Sequence, residues 1–239
     1  MKKTILLSAA LLLTVCFYGQ RSVRIYNKGN KILHEGNYEK AIKLFSMAIK
    51  LDRIFPEAYY NRAIAKSELK NYGAAIQDYS KAIDLDPKFA GAYNNRGVNK
   101  NELGDYAGAI DDYTKTLRID TGYVMAYYNR GIARFKSGNY DEAITDCTHT
   151  IKLDSAMSMA WFNRGCAKLK LEDYIGAIND YTISIRLDST DASAYKYRGI
   201  AKIKANKKEE GIKDFSIAKK MGCIVNEEEM EGKLSINIK

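Results

Sequence analysis

The sequence predicts an all-α fold, a solenoid of six helix-turn-helix repeats that are each about 34 residues long. Two observations lead to this prediction. The chain from Ser22 to Val225 consists of similar copies of one stretch that follow one another without a gap, and self-similarity at a fixed period indicates stacked supersecondary units. Within each copy, apolar residues follow helical spacing twice, with a break between the two runs. Each copy is therefore expected to form a first helix, a turn and a second helix.

The repeat divides the chain into three parts. Residues 1–19 precede the repeats and are interpreted as a signal peptide. Residues 226–239 follow them and are interpreted as a C-terminal capping segment or tail. The six tandem copies between these ends occupy residues 22–55, 56–89, 90–123, 124–157, 158–191 and 192–225.

The second copy illustrates how each element is predicted. Its first helix should run from Pro56 to about Leu69, because proline in the first turn loses no helical hydrogen bond. Its second helix should run from about Tyr72 to Leu85. The turn lies at residues 70 and 71, where three other copies have Gly followed by Asn or Asp. Glycine provides the left-handed backbone that ends a helix, and Asn or Asp can cap the next one.

The spacing of aromatic and small residues resembles the tetratricopeptide repeat (TPR) family. Its marks are a large aromatic, a small residue four positions later, an alanine opening the second helix, an aromatic, a small residue and a proline. The resemblance covers residues 22–225, and it implies a right-handed superhelix that binds proteins. The chain departs from the pattern where Cys147 replaces the second aromatic, and only one copy has the proline. In the second copy the marks are Tyr59, Ala63, Ala75, Tyr79, Ala82 and Pro87.

Residues 1–19 predict export. Lys2 and Lys3 precede an uncharged apolar run that is short for a membrane span and typical of a secretory signal. Cleavage after Gly19 would place the repeats in the periplasm or outside the cell. Two alternatives remain open, a lipid anchor on Cys16 and an uncleaved anchor. All three place the repeats outside the cytoplasm, where they are expected to associate with the cell envelope.

Charge and cysteine content limit the classes of partner. Removing Lys2 and Lys3 lowers the formal net charge from +9 to +7, which predicts mild attraction to acidic partners. Arg and Lys recur at fixed positions of the repeat, so nucleic acid is not an expected partner. Cys147, Cys166 and Cys223 lack metal-type spacing and are interpreted as small apolar residues. We expect no metal, no cofactor and no catalytic activity.

One polar position of the repeat predicts a salt bridge. An arginine on the first helix of the last five copies is matched, always at the same separation, by an aspartate on the second helix. The first copy has Lys28 and Leu44, so both partners change together. A planar guanidinium suits a carboxylate, although an anion-binding row of arginines is the alternative. The pairs are Arg62 and Asp78, Arg96 and Asp112, Arg130 and Asp146, Arg164 and Asp180, and Arg198 and Asp214.

A second polar position gives the best indication of function. Asparagine recurs on the first helix of five copies, next to the arginine. In the TPR family this face lines the concave surface, and some members use such a row to hold the backbone of an extended peptide. The amide suits this role because it both donates and accepts. The alternative is that the asparagines only bond neighbouring helices. They are Asn27, Asn61, Asn95, Asn129 and Asn163.

Neighbouring residues complete the predicted peptide-binding groove. Aromatic residues precede the asparagines, and aliphatic residues follow them by about one turn. Lysines near the far end replace the earlier Glu68 and Glu102, so the groove is expected to change from acidic to basic. The resemblance thus predicts a non-catalytic scaffold for a peptide or protein segment, with a structural self-association module as the alternative. Besides the asparagines, the predicted groove residues are Tyr60, Tyr128, Phe162, Ile64, Ile132, Lys136 and Lys170.

Overall fold

The computed structural model describes residues 19–226, which contain twelve α-helices and no strand. The predicted all-α class is therefore confirmed. The predicted signal segment and C-terminal segment lie outside the described residues, apart from Gly19 and Asn226. No helix among residues 19–226 combines the length and the apolar character needed to cross a membrane.

The chain divides into two compact units, the first ending at Asp120 and the second beginning at Thr121. In the first unit Ile32 of α1 packs with Phe45 of α2, and each helix from α2 onward packs against the next along the chain. The first helices of the second and third copies, α3 and α5, also touch. Its helices are α1 (19–34), α2 (Tyr38–Leu51), α3 (Pro56–Glu68), α4 (Tyr72–Leu85), α5 (Ala90–Glu102) and α6 (Tyr106–Ile119).

The second unit is built in the same way. Consecutive helices pack in pairs, and the first helices α7, α9 and α11 also contact one another in sequence. Stacking of helix pairs in chain order confirms the predicted helical-repeat solenoid, while the right-handed superhelical course stays a prediction. Its helices are α7 (Val124–Lys136), α8 (Tyr140–Leu153), α9 (Ser158–Lys170), α10 (Tyr174–Leu187), α11 (Ala192–Lys204) and α12 (Lys208–Lys220).

The turns inside the copies have the predicted left-handed backbone. Gly104 has φ of 80°, and Lys70 occupies the same conformation without glycine at φ of 59°. The next residue caps the second helix in some copies. Asp105 accepts a hydrogen bond from the backbone amide of Gly108 at 2.9 Å, whereas Asn71 makes no such bond. The predicted cap is thus confirmed at Asp105 and wrong at Asn71, where the backbone alone forms the turn.

A small residue and a large aromatic meet in the core of most copies. The alanine that opens each second helix from α2 to α10 is buried, which lets the paired helices approach. A Cβ added to Gly97 would lie 2.8 Å from the ring of Tyr113, so the ring fills the space that a side chain would need. In the fourth copy Cys147 takes the place of the ring and is itself buried. The core tyrosines are Tyr79, Tyr113 and Tyr181.

Candidate functional site

The predicted Arg–Asp bridges are present in all five copies. In the third copy, Nε of Arg96 donates to Oδ2 of Asp112 at 2.9 Å and Nη2 donates to Oδ1 at 2.7 Å. The carboxylate is fully buried, and two parallel bonds of this kind orient it rigidly. The other four bridges join Arg62 to Asp78, Arg130 to Asp146, Arg164 to Asp180 and Arg198 to Asp214.

Each of these aspartates also binds a second cation, which the sequence analysis missed. Nζ of Lys100 lies 2.7 Å from Oδ2 of Asp112. The signal was present in the sequence, because a basic residue follows each bridging arginine by four positions and therefore lies one turn away on the same face. The five second cations are Lys66, Lys100, Arg134, Lys168 and Lys202.

The arginines also link consecutive copies. Nη1 of Arg96 donates to the hydroxyl of Ser80 in the preceding copy at 2.9 Å, and Arg164 donates in the same way to Thr148 at 3.1 Å. Each guanidinium additionally lies over an aromatic ring of its own helix, at 4.8 Å for Trp161. Burial opposes the charge of Arg96, but its hydrogen bond to Asp112 leaves its pKa raised. The arginine donors are used inside the fold, which favours the structural interpretation over an anion-binding row.

The asparagine row makes bonds between helices. Nδ2 of Asn61 donates to the hydroxyl of Tyr26 at 2.9 Å and to Oδ1 of Asn30 at 2.8 Å, so both of its amide hydrogens are used. Nδ2 of Asn95 donates to the hydroxyl of Tyr60 at 3.0 Å. Bonding to neighbouring helices, the alternative left open by the sequence, is thus seen at these positions. A role in holding a peptide backbone stays a prediction.

The same hydrogen bond recurs in the second unit. Asn163 bonds the hydroxyl of Tyr128, and burial raises the pKa of Tyr128 although this bond opposes the shift. Asn129 occupies the corresponding position of α7 and is half-buried, whereas Asn27 on α1 is exposed. The sequence contained a signal for these bonds. In each of them the asparagine bonds a tyrosine of the preceding copy, and that tyrosine stands directly before the asparagine of its own copy.

The predicted groove aromatics are half-buried and rest on core rings. The ring centroids of Tyr60 and Tyr79 are 5.7 Å apart, and those of Tyr60 and Phe89 are 4.6 Å apart. In the second unit Phe162 lies 5.7 Å from Tyr197 in an edge-on arrangement. These contacts fix the rings in place. Tyr60 and Phe162 are thus packed against neighbouring rings and are part of the helix packing.

A pocket in the first unit brings two of the predicted groove residues together. It has a volume of about 360 Å³, and we name it the α1–α3 pocket after the helices that bound it. The prediction included Asn61 and Ile64 but missed the contribution of α1 and of the start of α2. Its lining residues are Asn30, Leu33, His34, Tyr38, Asn61, Ile64 and Glu68.

The remaining predicted groove residues lie on the first helices of the second unit. Ile132 and Lys136 are on α7, and Lys170 is at the end of α9, which contacts α7 directly. Ile132 and Lys170 are half-buried, and Lys136 is exposed. The structure therefore distributes the predicted site residues over the two units.

Two of the three described cysteines are buried. Burial raises the pKa of both Cys147 and Cys166 to about 12, and the hydroxyl of Tyr181 donates to Sγ of Cys166 at 3.3 Å. The three described cysteines are unpaired. Within residues 19–226 no cluster of three His, Cys, Asp or Glu side chains is arranged to hold a metal ion.

Comparison with protein families gives matches to two repeat models. The model described as tetratricopeptide repeat matches residues 56–89 and 124–156. The model described as TPR repeat matches residues 29–70. No curated protein matches the chain.

Solved structures share the fold. YrrB, described as a TPR protein with an unusual peptide-binding site, has 21% identity and a TM-score of 0.66, covering 74% of this chain and 91% of YrrB. PilF of Pseudomonas aeruginosa has 17% identity and a TM-score of 0.72, covering 85% and 93%. A tetratricopeptide repeat protein of Parabacteroides merdae has 23% identity and a TM-score of 0.62, covering 89% and 82%. The family matches, together with this shared fold and the repeat period of the sequence, identify the chain as a TPR protein, one of a family of generally non-catalytic protein–protein interaction scaffolds.

Proposed function

We propose that this protein binds an extended peptide or protein segment along the face that carries the asparagine row, without catalysing a reaction. The α1–α3 pocket is the observation that carries this proposal. It adjoins Asn61, it combines apolar walls with polar groups, and its volume of about 360 Å³ can receive a side chain. Peptide recognition by YrrB, as its description states, supports the same use of this fold.

The hydrogen bonds of the asparagines limit how the segment is held. Asn61 has used both amide hydrogens, so it offers a peptide only its Oδ1. If each of the five asparagines added about 0.5–1.5 kcal/mol, the sum would be roughly 2.5–7.5 kcal/mol before the cost of ordering the peptide. A micromolar complex needs about 8 kcal/mol. Apolar contacts with residues such as Ile64 and with the aromatics beside the asparagine row must therefore supply a large part of the affinity.

Capture from the envelope fraction of the source organism tests the proposal. His34 is exposed at the α1–α3 pocket, and His34→Trp would fill the pocket without disturbing the core. Met47→Trp is the matched control, because Met47 is 50% exposed in a different cavity. A partner retained by the native chain and the control but lost by His34→Trp supports the proposal. If the native chain, His34→Trp and Met47→Trp all capture the same proteins, the proposal is contradicted. If each form captures only further copies of this protein, self-association is favoured.

We propose further that the repeats act outside the cytoplasm in assembly at the cell envelope. The support is the basic start and apolar run of residues 1–19. Mass spectrometry of the protein from its source organism tests this proposal. A mature chain beginning at Gln20 is expected, a lipid on Cys16 would favour the anchored alternative, and an intact chain in the cytosolic fraction would contradict export.

A further inference from the structure

The charge of one repeat position differs between the two units. Two helical turns beyond the asparagine position, along the same face, every first helix carries a titratable residue near its C-terminal end. Those of the first unit include two carboxylates, and those of the second unit are all lysines. The residues are His34, Glu68 and Glu102 in the first unit, and Lys136, Lys170 and Lys204 in the second.

Glu68 brings its negative charge into the α1–α3 pocket. It is the only carboxylate among the lining residues, and none of them is Lys or Arg. Among residues 19–226 Glu68 forms no ion pair, in contrast to Asp78 on the adjacent helix, which binds Arg62 and Lys66. Asn61 adds a second acceptor, because its amide hydrogens are donated to Tyr26 and Asn30. The pocket therefore offers negative charge and a carbonyl oxygen to an incoming group.

The apolar walls of the pocket restrict the kind of cation that fits. Leu33 and Ile64 are half-buried aliphatic residues, and the half-buried ring of Tyr38 also lines the pocket. A compact hydrated ion would gain nothing from these walls. A side chain with a long methylene stem and a charged end would bury its stem against them and leave its charge at Glu68.

We propose that the α1–α3 pocket binds a lysine or arginine side chain of the segment that the protein recognises. This inference rests on the proposed function. It adds that the bound segment carries a positive charge where it enters the α1–α3 pocket. Because Glu68 is exposed, its attraction for the cation is modest, about three- to fivefold in affinity at low salt. The preference weakens with increasing ionic strength as the charges are screened.

The test uses the purified full chain and pools of acetylated, amidated decapeptides with randomised positions. One pool carries a single lysine per peptide, the second carries uncharged norleucine in its place, and the third carries glutamate. The pools compete for the immobilised protein, and mass spectrometry measures the bound fraction. Enrichment of lysine over norleucine of about threefold is expected in about 20 mM salt, with loss of most of it in about 500 mM salt.

Two variants locate the preference. Glu68→Gln should abolish the enrichment of lysine over norleucine. Glu68→Lys should reverse it, so that the ratio of bound lysine peptides to bound norleucine peptides falls below one. Lysine is compatible with the fold at this position, because Lys136, Lys170 and Lys204 occupy it in other copies. Glu57→Gln is the matched control, since it removes the same charge from the first turn of the same helix. It should leave the enrichment unchanged.

The outcomes separate this inference from the proposed function. Peptides that bind the native chain without preference for lysine, or with a preference that Glu68→Lys leaves intact, overturn the inference while peptide binding stands. If the native chain binds peptides from none of the pools, both the inference and the proposed function are overturned. A preference for glutamate over norleucine in the native chain that is unaffected by Glu68→Lys also overturns the inference, since it would locate recognition at the lysines of the second unit.

Discussion

Replacing Asp112 with alanine should destabilise the protein far more than any surface change. The carboxylate is fully buried and holds Arg96 and Lys100, whose side chains are only 14% and 20% exposed. Its removal leaves two half-buried cations without their counter-charge. Breaking a buried pair in this way costs about 3–5 kcal/mol. For a chain of this length each kcal/mol lowers the melting temperature by about 2–4 °C, so a decrease of roughly 6–20 °C is expected.

The neighbouring residue provides the control. Asp111 is exposed and pairs with Lys115 across one helical turn at 2.7 Å, a contact that contributes only about 0.3–0.5 kcal/mol. Urea unfolding followed by circular dichroism should therefore separate Asp112→Ala clearly from Asp111→Ala. Equal unfolding midpoints for the two variants would refute the assignment of the Arg–Asp bridge as a major source of stability.

Three further predictions concern the core. Gly165→Ala should cost about 1–3 kcal/mol because its Cβ would lie 2.9 Å from a core tyrosine ring. Gly131→Ala, whose Cβ would meet its nearest neighbour at 3.3 Å, should lower the melting temperature less, and an equal decrease for both variants would contradict this. Iodoacetamide at pH 8 should label Cys223 and spare Cys147 and Cys166, because burial raises the pKa of these two thiols to about 12. Equal labelling of all three cysteines in peptide mapping would contradict this. Burial also raises the pKa of the core tyrosines. The unfolded chain then loses these protons near pH 10 while the native chain keeps them, so the melting temperature should decrease above about pH 10; an unchanged melting temperature at pH 11 would contradict this.

The sequence predicted the repeated parts of the fold because one chain contains several versions of each contact. The Arg–Asp bridge was predictable since Lys28 and Leu44 change together in the first copy, which is evidence of contact without any homologue. The helix bounds in the second copy were predicted within one residue, Pro56–Glu68 and Tyr72–Leu85, because proline and the turn mark them.

The candidate site was less predictable because it depends on how side chains share hydrogen bonds in space. The sequence placed Asn61 in the groove and left bonding between helices open as an alternative, but it did not show that Tyr26 and Asn30 together would use both amide hydrogens of Asn61. It also treated the first copy as one more repeat. The α1–α3 pocket depends on Asn30 and His34. Later copies have an aliphatic residue or a cysteine at the position of Asn30 and a charged residue at the position of His34.

The bond between an arginine and the hydroxyl of the preceding copy has a consequence for how such a chain can evolve. Every copy from the second to the sixth carries both residue types, an arginine and a Ser or Thr at the position that can receive the next arginine. The bond to the preceding copy is made by Arg62, Arg96, Arg164 and Arg198. Unequal recombination could therefore delete or duplicate one whole copy and leave matching halves at the new junction. The first copy is different, because it has Lys28 in place of the arginine. New length is thus expected to arise after the first copy, with the first copy retained.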